Sequence, residues 1–363
     1  MAETFFIAAG GTGGHIYPGI ALAEALKEQD ADNNVLFIGT PHGLENKLVK
    51  AKGYEILHLN IGRLNKNVSR GERLKTFLQL PLSFLKSFSL LRKYKPKVVI
   101  GVGGHASGPM LLMAALLRTP TVIWEPNAMP GMANRWLARF VDLACVVFEE
   151  AKRHLHARRF MVVGLPLRAE IERLSSRQET KDPAAPFRVL VFGGSQGARG
   201  LNKVTLEFLQ KNSAWLKDNE IIHQTGAAEE EGVKNSYADL KGNPHLKVVP
   251  YIEDMAAAYQ WADVVVCRSG TGTLAELAAL GKPSVLIPFP FASDNHQQKN
   301  AEAFADENAA LMILQKDLTP PLFGETLQKL KADRNLRETL GRNSRKFFKP
   351  HAAQEMAREI LKF

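Results

Sequence analysis

The sequence predicts an α/β protein whose parallel sheets are covered by helices and divided between two domains. Strand and helix patterns alternate from one end of the chain to the other, the arrangement that parallel sheets require. Three glycine loops each stand between an apolar strand run and a helical pattern. A polar stretch over residues 175–186 interrupts the alternation before a new series opens at residue 189, and 363 residues suffice for two separate cores. The boundary is expected near residue 165, with the segment to 186 as a candidate linker.

The first strand is the apolar run 4–9, followed by Gly10, Gly11, Thr12, Gly13, Gly14 and His15, and then by a helical pattern through Ile20, Leu22, Ala23 and Leu26. Glycines there let the backbone turn tightly and let a ligand approach its N–H groups. The helix end adds free donors and positive partial charge, which favours a phosphate. No lysine follows, so a P-loop is excluded; starting from Gly11, a dinucleotide fingerprint would need glycine where Ile16 stands. A tight turn with a satisfied histidine is the plain alternative.

Strands are expected next at 35–39, 54–59 and 98–102. The last leads into a second glycine loop, Gly103-Gly104-His105, before a helix over 110–117. Strands at 121–125 and 143–147 follow, the first ending in Glu125-Pro126-Asn127, where open α/β sheets place their sites. Earlier, between the strands at 54–59 and 98–102, residues 73–97 carry two apolar stripes. Leu74, Phe77, Leu78, Leu82 and Leu85 form one, able to pack on the sheet; Leu80, Phe84, Phe88 and Leu91 form the other, among Lys86 and further basic residues. Pro81 is expected to kink this helix. The second stripe either rests in a membrane interface or is buried on its second side; Phe84 and Phe88 on it, with Phe77 and Lys86 beside it, are the candidate membrane contacts.

The second series begins with a strand at 189–192 and a third glycine loop, Gly193-Gly194-Ser195-Gln196-Gly197. Strands at 220–224, 246–249, 264–267 and 284–288 follow. The turn Arg268-Ser269-Gly270-Thr271-Gly272-Thr273 opens a helix over 274–280. Thr273 and Glu276 have capping-box spacing; equally, a carboxylate at that place can hold a ribose diol with two charge-assisted bonds. Two helical patterns close the chain, the last over 351–361.

Charged residues make up 23% and hydrophobic residues 45% of the chain, an ordinary globular balance, and the net charge of +10 suggests an anionic partner. Cys145 and Cys267 lie in apolar runs, so no disulfide framework is expected. No apolar run reaches membrane-spanning length, and the start of the chain lacks the pattern of a signal peptide. There is no evident metal site and no recognisable nucleic-acid module.

Taken in order, residues 10–15 with Pro18, 101–109, 125–127, 164–168, 193–199, 268–276 and 294–301 resemble the motifs of the GT-B glycosyltransferases. The resemblance spans nearly the whole chain. His105 stands where an aromatic residue is expected and Pro126 where glutamine is common. The resemblance implies two Rossmann-like, doubly wound parallel-sheet domains facing across a cleft: residues 1–164 for acceptor and membrane, and 165–345 for the UDP-sugar. A helix over about 346–363 would pack back on the first. It implies that Arg168, Ser195, Ile252, Thr271, Gly272, Thr273, Leu274, Ala275, Glu276 and Gln297 bind UDP-N-acetylglucosamine, joined by Thr12, Gly13, Gly14 and Asn127. Gly11, Gly103, Gly104 and His105 would meet the acceptor diphosphate.

The implied reaction carries N-acetylglucosamine, with inversion, to the 4-hydroxyl of lipid-linked muramoyl-pentapeptide in bacterial peptidoglycan synthesis. It needs no cofactor. The implied location is peripheral, on the cytoplasmic face of the inner membrane, with anionic lipid and cell-division or elongation proteins as partners. A hydroxyl nucleophile needs a base: His15 is the first candidate and Glu125 the second. Nearby phosphates raise an imidazole pKa, whereas a helix N-terminus and desolvation lower it, so a working base needs the second pair to offset the first. Rival readings are a UDP-N-acetylglucosamine 2-epimerase of the same architecture and a non-catalytic UDP-sugar-binding protein recruited to membranes.

Overall fold

The computed structural model describes residues 3–10, 13–62, 70–167, 169–176, 185–194, 197–227, 232, 237, 240 and 242–363. The chain forms two compact units, Met1–Pro166 with His351–Phe363, and Leu167–Pro350. The first contains β1 (Thr4–Ala9), α1 (Gly13–Gln29), β2 (Asn34–Gly39), α2 (Glu45–Ala51), β3 (Glu55–His58), α3 (Arg70–Tyr94) and β4 (Val98–Gly103). It continues with α4 (Ser107–Leu116), β5 (Thr121–Glu125), α5 (Met132–Leu137), β6 (Leu143–Val146) and β7 (Phe160–Val162). Its seven strands run in the order β3-β2-β1-β4-β5-β6-β7, and every pairing is parallel. Residues 5–9 of β1 are all buried, because helices cover both faces of the sheet.

The second unit contains α6 (Ala169–Ser175), β8 (Phe187–Phe192), α7 (Arg199–Lys211), β9 (Asn219–Gln224), β10 (Leu246–Val249), α8 (Met255–Trp261) and β11 (Val264–Cys267). Then come α9 (Thr271–Leu280), β12 (Ser284–Leu286), α10 (His296–Asp306), β13 (Leu311–Met312), α11 (Pro320–Ala332) and α12 (Arg334–Arg345). Its parallel sheet has the order β10-β9-β8-β11-β12-β13. Numbered from its own first strand this is 3-2-1-4-5-6, the doubly wound dinucleotide-fold order. In each sheet the order reverses beside the first strand: between β1 and β4 in one and between β8 and β11 in the other. Cys145 and Cys267 are free and buried.

Three expectations need correction. β13, only two residues long, carries no alternation to detect. The two closing helical patterns are in fact three helices. α11 and α12 meet at Asp333, whose carboxylate caps the second by accepting from Leu336 N at 2.8 Å, so only one residue separates two helical runs. The third, α13 (Ala352–Ile360), belongs to the first unit. It buries Met356, Ala357 and Ile360 in the core that also contains Leu22, Leu26 and Trp124, packing against α1. Lys97 Nζ donates to Leu361 O at 3.0 Å, and Arg159 pairs with Glu359. The chain leaves the second unit at residue 350 and not at 346, because Phe347 stacks on Phe304 with centroids 4.2 Å apart.

The largest difference concerns α3. The stripe that packs inward is largely small and polar, Thr76, Ser83 and Ser87, followed by Leu90 and Leu91 in the last turns. Ser83 Oγ donates to Asn60 O at 2.8 Å, and a Cβ on Gly62 would lie 2.3 Å from Thr76 Oγ1. Small side chains there let the helix close on the segment after β3. The leucine-rich stripe expected against the sheet therefore faces solvent. Leu74, Phe77, Leu78, Leu82, Leu85 and Phe88 are between 40% and 71% exposed. Phe84 is only half-exposed, so of the membrane candidates Phe77, Phe88 and Lys86 are exposed and Phe84 is partly packed. No described helix is long and apolar enough to cross a membrane.

The second unit holds a fully buried polar chain. His223 Nε2 lies 3.1 Å from Asn202 Oδ1, and Nδ1 lies 2.9 Å from Tyr237 OH. The amide oxygen can only accept, so Nε2 donates to it and Nδ1 accepts from the phenol, which fits a neutral ring. Burial pushes this imidazole down to about 3. Below the ordinary histidine value of about 6.5 the unfolded chain binds a proton that the native ring refuses. His223 stability is thus complete above that pH and is lost as pH falls towards 3, by roughly 1–2 kcal/mol between pH 7 and 5. Urea unfolding of wild type and His223→Gln at both pH values checks this: the variant should lose less stability on acidification, and an equal loss places the proton elsewhere.

Candidate active site

In the first unit the glycine loop follows β1 at the switch point. Gly104 has φ +95 and Gly103 has φ +114, conformations that glycine tolerates best. A Cβ on Gly104 would lie 2.7 Å from the Gly10 backbone, and one on Gly103 would lie 2.5 Å from His15 Nδ1. The β4 loop is therefore pressed against the start of α1, with Gly103, Gly104, Gly10 and His15 in direct contact. Ser107 Oγ donates to Ala8 O at 3.0 Å and Gly103 O at 3.1 Å, tying the head of α4 to the end of β1. Gly14 is exposed, and His15 and His105 are half-buried. Gly11 and Thr12 lie outside the described residues, as do Arg168 and Ser195.

Glu125, at the end of β5, is buried and already committed. Its Oε1 accepts from Asn127 N at 2.9 Å and Asn127 Nδ2 at 3.1 Å. Its Oε2 accepts from Gly131 N at 3.1 Å and Asn134 Nδ2 at 2.9 Å. Burial raises its pKa, and the four donors pull the other way. A carboxylate with both oxygens used by its own loop orders that loop and Asn127; it is poorly placed to accept a proton from a substrate.

In the second unit β8 runs into Gly193 and Gly194, and Gly197 (φ +74) turns into α7. A Cβ on Gly197 would fall 1.9 Å from Thr225 O, the same carbonyl that Asn202 Nδ2 grips at 2.8 Å. The buried His223–Asn202 pair thus steadies the third glycine loop from below. Beside it, β11 ends in a second assembly. Arg268 Nη1 donates to Ile287 O and Pro288 O, each at 3.0 Å, and its guanidinium lies 5.5 Å from the Phe289 ring centre. Ser269 Oγ donates to Gln297 O at 2.7 Å, and Phe289 N donates to Gln297 Oε1 at 3.0 Å. Asn300 Nδ2 reaches Ser269 O at 3.3 Å. The 268–276 and 294–301 stretches are therefore one structure.

The helix α9 starts at Thr271, with Gly270, which has no side chain to cap it, as its N-cap. Thr273 and Glu276 lie inside the helix, which removes the capping-box alternative. Glu276 Oε2 accepts instead from the hydroxyl of the fully buried Tyr259 at 2.8 Å. Thr271, Thr273, Ala275, Glu276, Ile252 and Gln297 are half-buried and Gly272 is exposed. Leu274 is core, so only its backbone can meet a ligand. Tyr259 and Asn202 escape sequence reading because each acts through a partner distant in the chain. Among the described residues no group of three or more His, Cys, Asp or Glu could hold a metal.

Two switch points, each with a glycine loop at the carboxyl end of its first strand, define a class of two-unit proteins that bind nucleotide-linked substrates. Residues 5–146 match the glycosyltransferase family 28 N-terminal domain and residues 188–356 its C-terminal domain. The chain belongs to glycosyltransferase family 28. It is 46% identical, over 99% of both chains, to the UDP-N-acetylglucosamine–N-acetylmuramyl-(pentapeptide) pyrophosphoryl-undecaprenol N-acetylglucosamine transferase of Bdellovibrio bacteriovorus. The enzyme of that name from Myxococcus xanthus is 42% identical, over 97% of this chain and 90% of its own. The crystal structure of Acinetobacter baumannii MurG aligns with a TM-score of 0.81 at 30% identity, covering 99% of this chain and all of the other. A UDP-GlcNAc 2-epimerase from Neisseria meningitidis aligns at 0.68 with 12% identity over 99% of this chain and all of the other, a likeness of fold alone.

Proposed function

We propose that this chain is an inverting transferase that moves N-acetylglucosamine from UDP-N-acetylglucosamine to the 4-hydroxyl of the muramoyl sugar in undecaprenyl-pyrophosphoryl-N-acetylmuramoyl-pentapeptide. The observation that carries it is the near-full-length identity to relatives bearing that transferase name. The glycine loops at both switch points support it. The second unit holds the donor: Glu276 binds the ribose diol, and the positive ends of α7 and α9 favour its diphosphate. The first unit holds the acceptor, its diphosphate against the Gly103–Gly104 loop. His15 takes the proton of the 4-hydroxyl as that oxygen attacks C1. The bond from C1 to the UDP oxygen breaks, and UDP leaves with the electron pair. Helix ends and glycine N–H groups stabilise the charge that gathers on it.

The exposed stripe of α3 rests on the anionic inner membrane surface that carries the acceptor. Six large apolar side chains in the open, with Lys86, Arg92 and Lys93 exposed among them, support this reading. Labelled UDP-N-acetylglucosamine incubated with and without the lipid-linked acceptor tests the reaction. Transfer should need the acceptor, whereas turnover of the donor alone would mark an epimerase.

Three variants sharpen these roles. Glu276→Gln keeps the shape of the side chain and removes the charge-assisted bonds, so calorimetry should show UDP binding weakened by about 1.5–3 kcal/mol; unchanged affinity would exclude Glu276 from the donor site. His15→Ala should lower turnover by about 10²–10⁴ while UDP affinity holds. Wild-type turnover should fall on the acid side with one proton, because a protonated base cannot accept, and that limb should vanish in His15→Ala. Leu78→Ser, Leu82→Ser and Leu85→Ser combined should reduce binding to anionic vesicles with the melting transition retained; a lost transition would show that the stripe is core.

A further inference from the structure

A buried carboxylate stands behind the first glycine loop, and neither the motifs nor the mechanism uses it. Glu45, at the start of α2, is 0% exposed. Its Oε1 accepts from Thr40 N and from Thr40 Oγ1, both at 2.8 Å. Its Oε2 is buried with no hydrogen-bond partner among the described residues. Leaving such an oxygen unsatisfied costs its desolvation with nothing in return, so an apolar side chain of this size would serve stability better.

Its surroundings are made of missing side chains. A Cβ on Gly43 would lie 2.0 Å from Oε2, and one on Gly39 would lie 2.7 Å from Cγ. A Cβ on Gly10 would lie 3.1 Å from Oε1, 3.4 Å from Cδ and 3.6 Å from Oε2. Three glycines from three segments thus leave the space that this carboxyl fills. On its other side the Gly10 backbone meets Gly104, and the adjoining Gly103 meets His15. Gly10 is therefore held between Glu45 and the β4 loop, and whatever shifts Gly10 shifts the wall against which the His15 ring rests.

We propose that Glu45 is a positioning residue: its carboxyl group fixes the backbone at Gly10 and, through the Gly103–Gly104 loop, the place of the His15 imidazole. The inference rests on the transfer reading above only for its kinetic consequence. A misplacement of the base by a fraction of an ångström lowers turnover without touching donor affinity, which belongs to the second unit.

Imidazole NMR signals and steady-state kinetics of the full chain test this together. The His15 signal is assigned by its loss in His15→Ala. It should move in Glu45→Ala and stay in the control Glu24→Ala. Turnover in Glu45→Ala should fall by about tenfold to a hundredfold, with UDP affinity unchanged. In a His15→Ala background the same substitution should cost less than about threefold, since it removes an effect already lost. Glu45→Gln, which keeps the volume and the acceptor for Thr40, should restore most of the turnover. If Glu45→Ala does not fold, Glu45→Asp withdraws the carboxyl by one methylene and gives the same readouts. A His15 signal that stays put in a folded variant overturns the proposal, as does a turnover loss equal in both backgrounds. Near-wild-type turnover of His15→Ala would overturn the base assignment instead, and the NMR shift alone would then decide the role of Glu45.

Discussion

The contact on which the first unit depends is the approach of Gly104 to the backbone of Gly10. Parallel winding in the order 3-2-1-4 sets the carboxyl ends of β1 and β4 side by side, and each strand must then turn into its own helix. The two turns fit side by side because Gly104 carries no Cβ where it meets the Gly10 backbone. Once they close, the head of α1, with His15, lies against the β4 loop, and Ser107 locks the arrangement through Ala8 O and Gly103 O. In the second unit the close approach lies on the other side of the first strand, where Gly197 after β8 meets Thr225 O at the end of β9. There a buried histidine and asparagine hold the carbonyl that the glycine meets.

Buried polar groups separate into two kinds. Glu125, Arg268 and His223 have their hydrogen-bonding atoms occupied by nearby loops or strands, and each can be read as the organiser of the segment it grips. Glu45 keeps one oxygen unpartnered among the described residues, in a pocket of glycines. Low dielectric makes such an oxygen expensive, and the expense is tolerated where geometry next to a reactive group has to be held.

The α3 helix shows how tertiary fit overrides a reading of apolarity. Both of its stripes are apolar enough to pack, and the richer one in leucine is the one left outside. The choice is made by closeness. Gly62 allows Thr76 to approach, and Ser83 satisfies a carbonyl of the preceding segment, so the serine face turns inward. An apolar surface is thereby left uncovered among basic residues.

The sequence by itself determined the parallel α/β alternation, the division into two units and the glycine loops at strand ends. Buried strands are uniform apolar runs, helices repeat their apolar positions, and glycine marks places where a backbone must turn or be approached. These signals are local and survive without a partner. What only the tertiary structure decided was every pairing between distant segments. Thr273 and Glu276 could cap a helix by spacing, yet the helix starts at Thr271 and Glu276 turns to Tyr259. Glu125 could be a base by type, yet Asn127, Gly131 and Asn134 fill both its oxygens. Glu45 carries no signal in the local pattern, and its pocket exists only once three glycines close around it. The physical reason is common to all three: a side chain's chemistry is set by what desolvates it and what bonds to it, and both come from residues the local pattern does not contain.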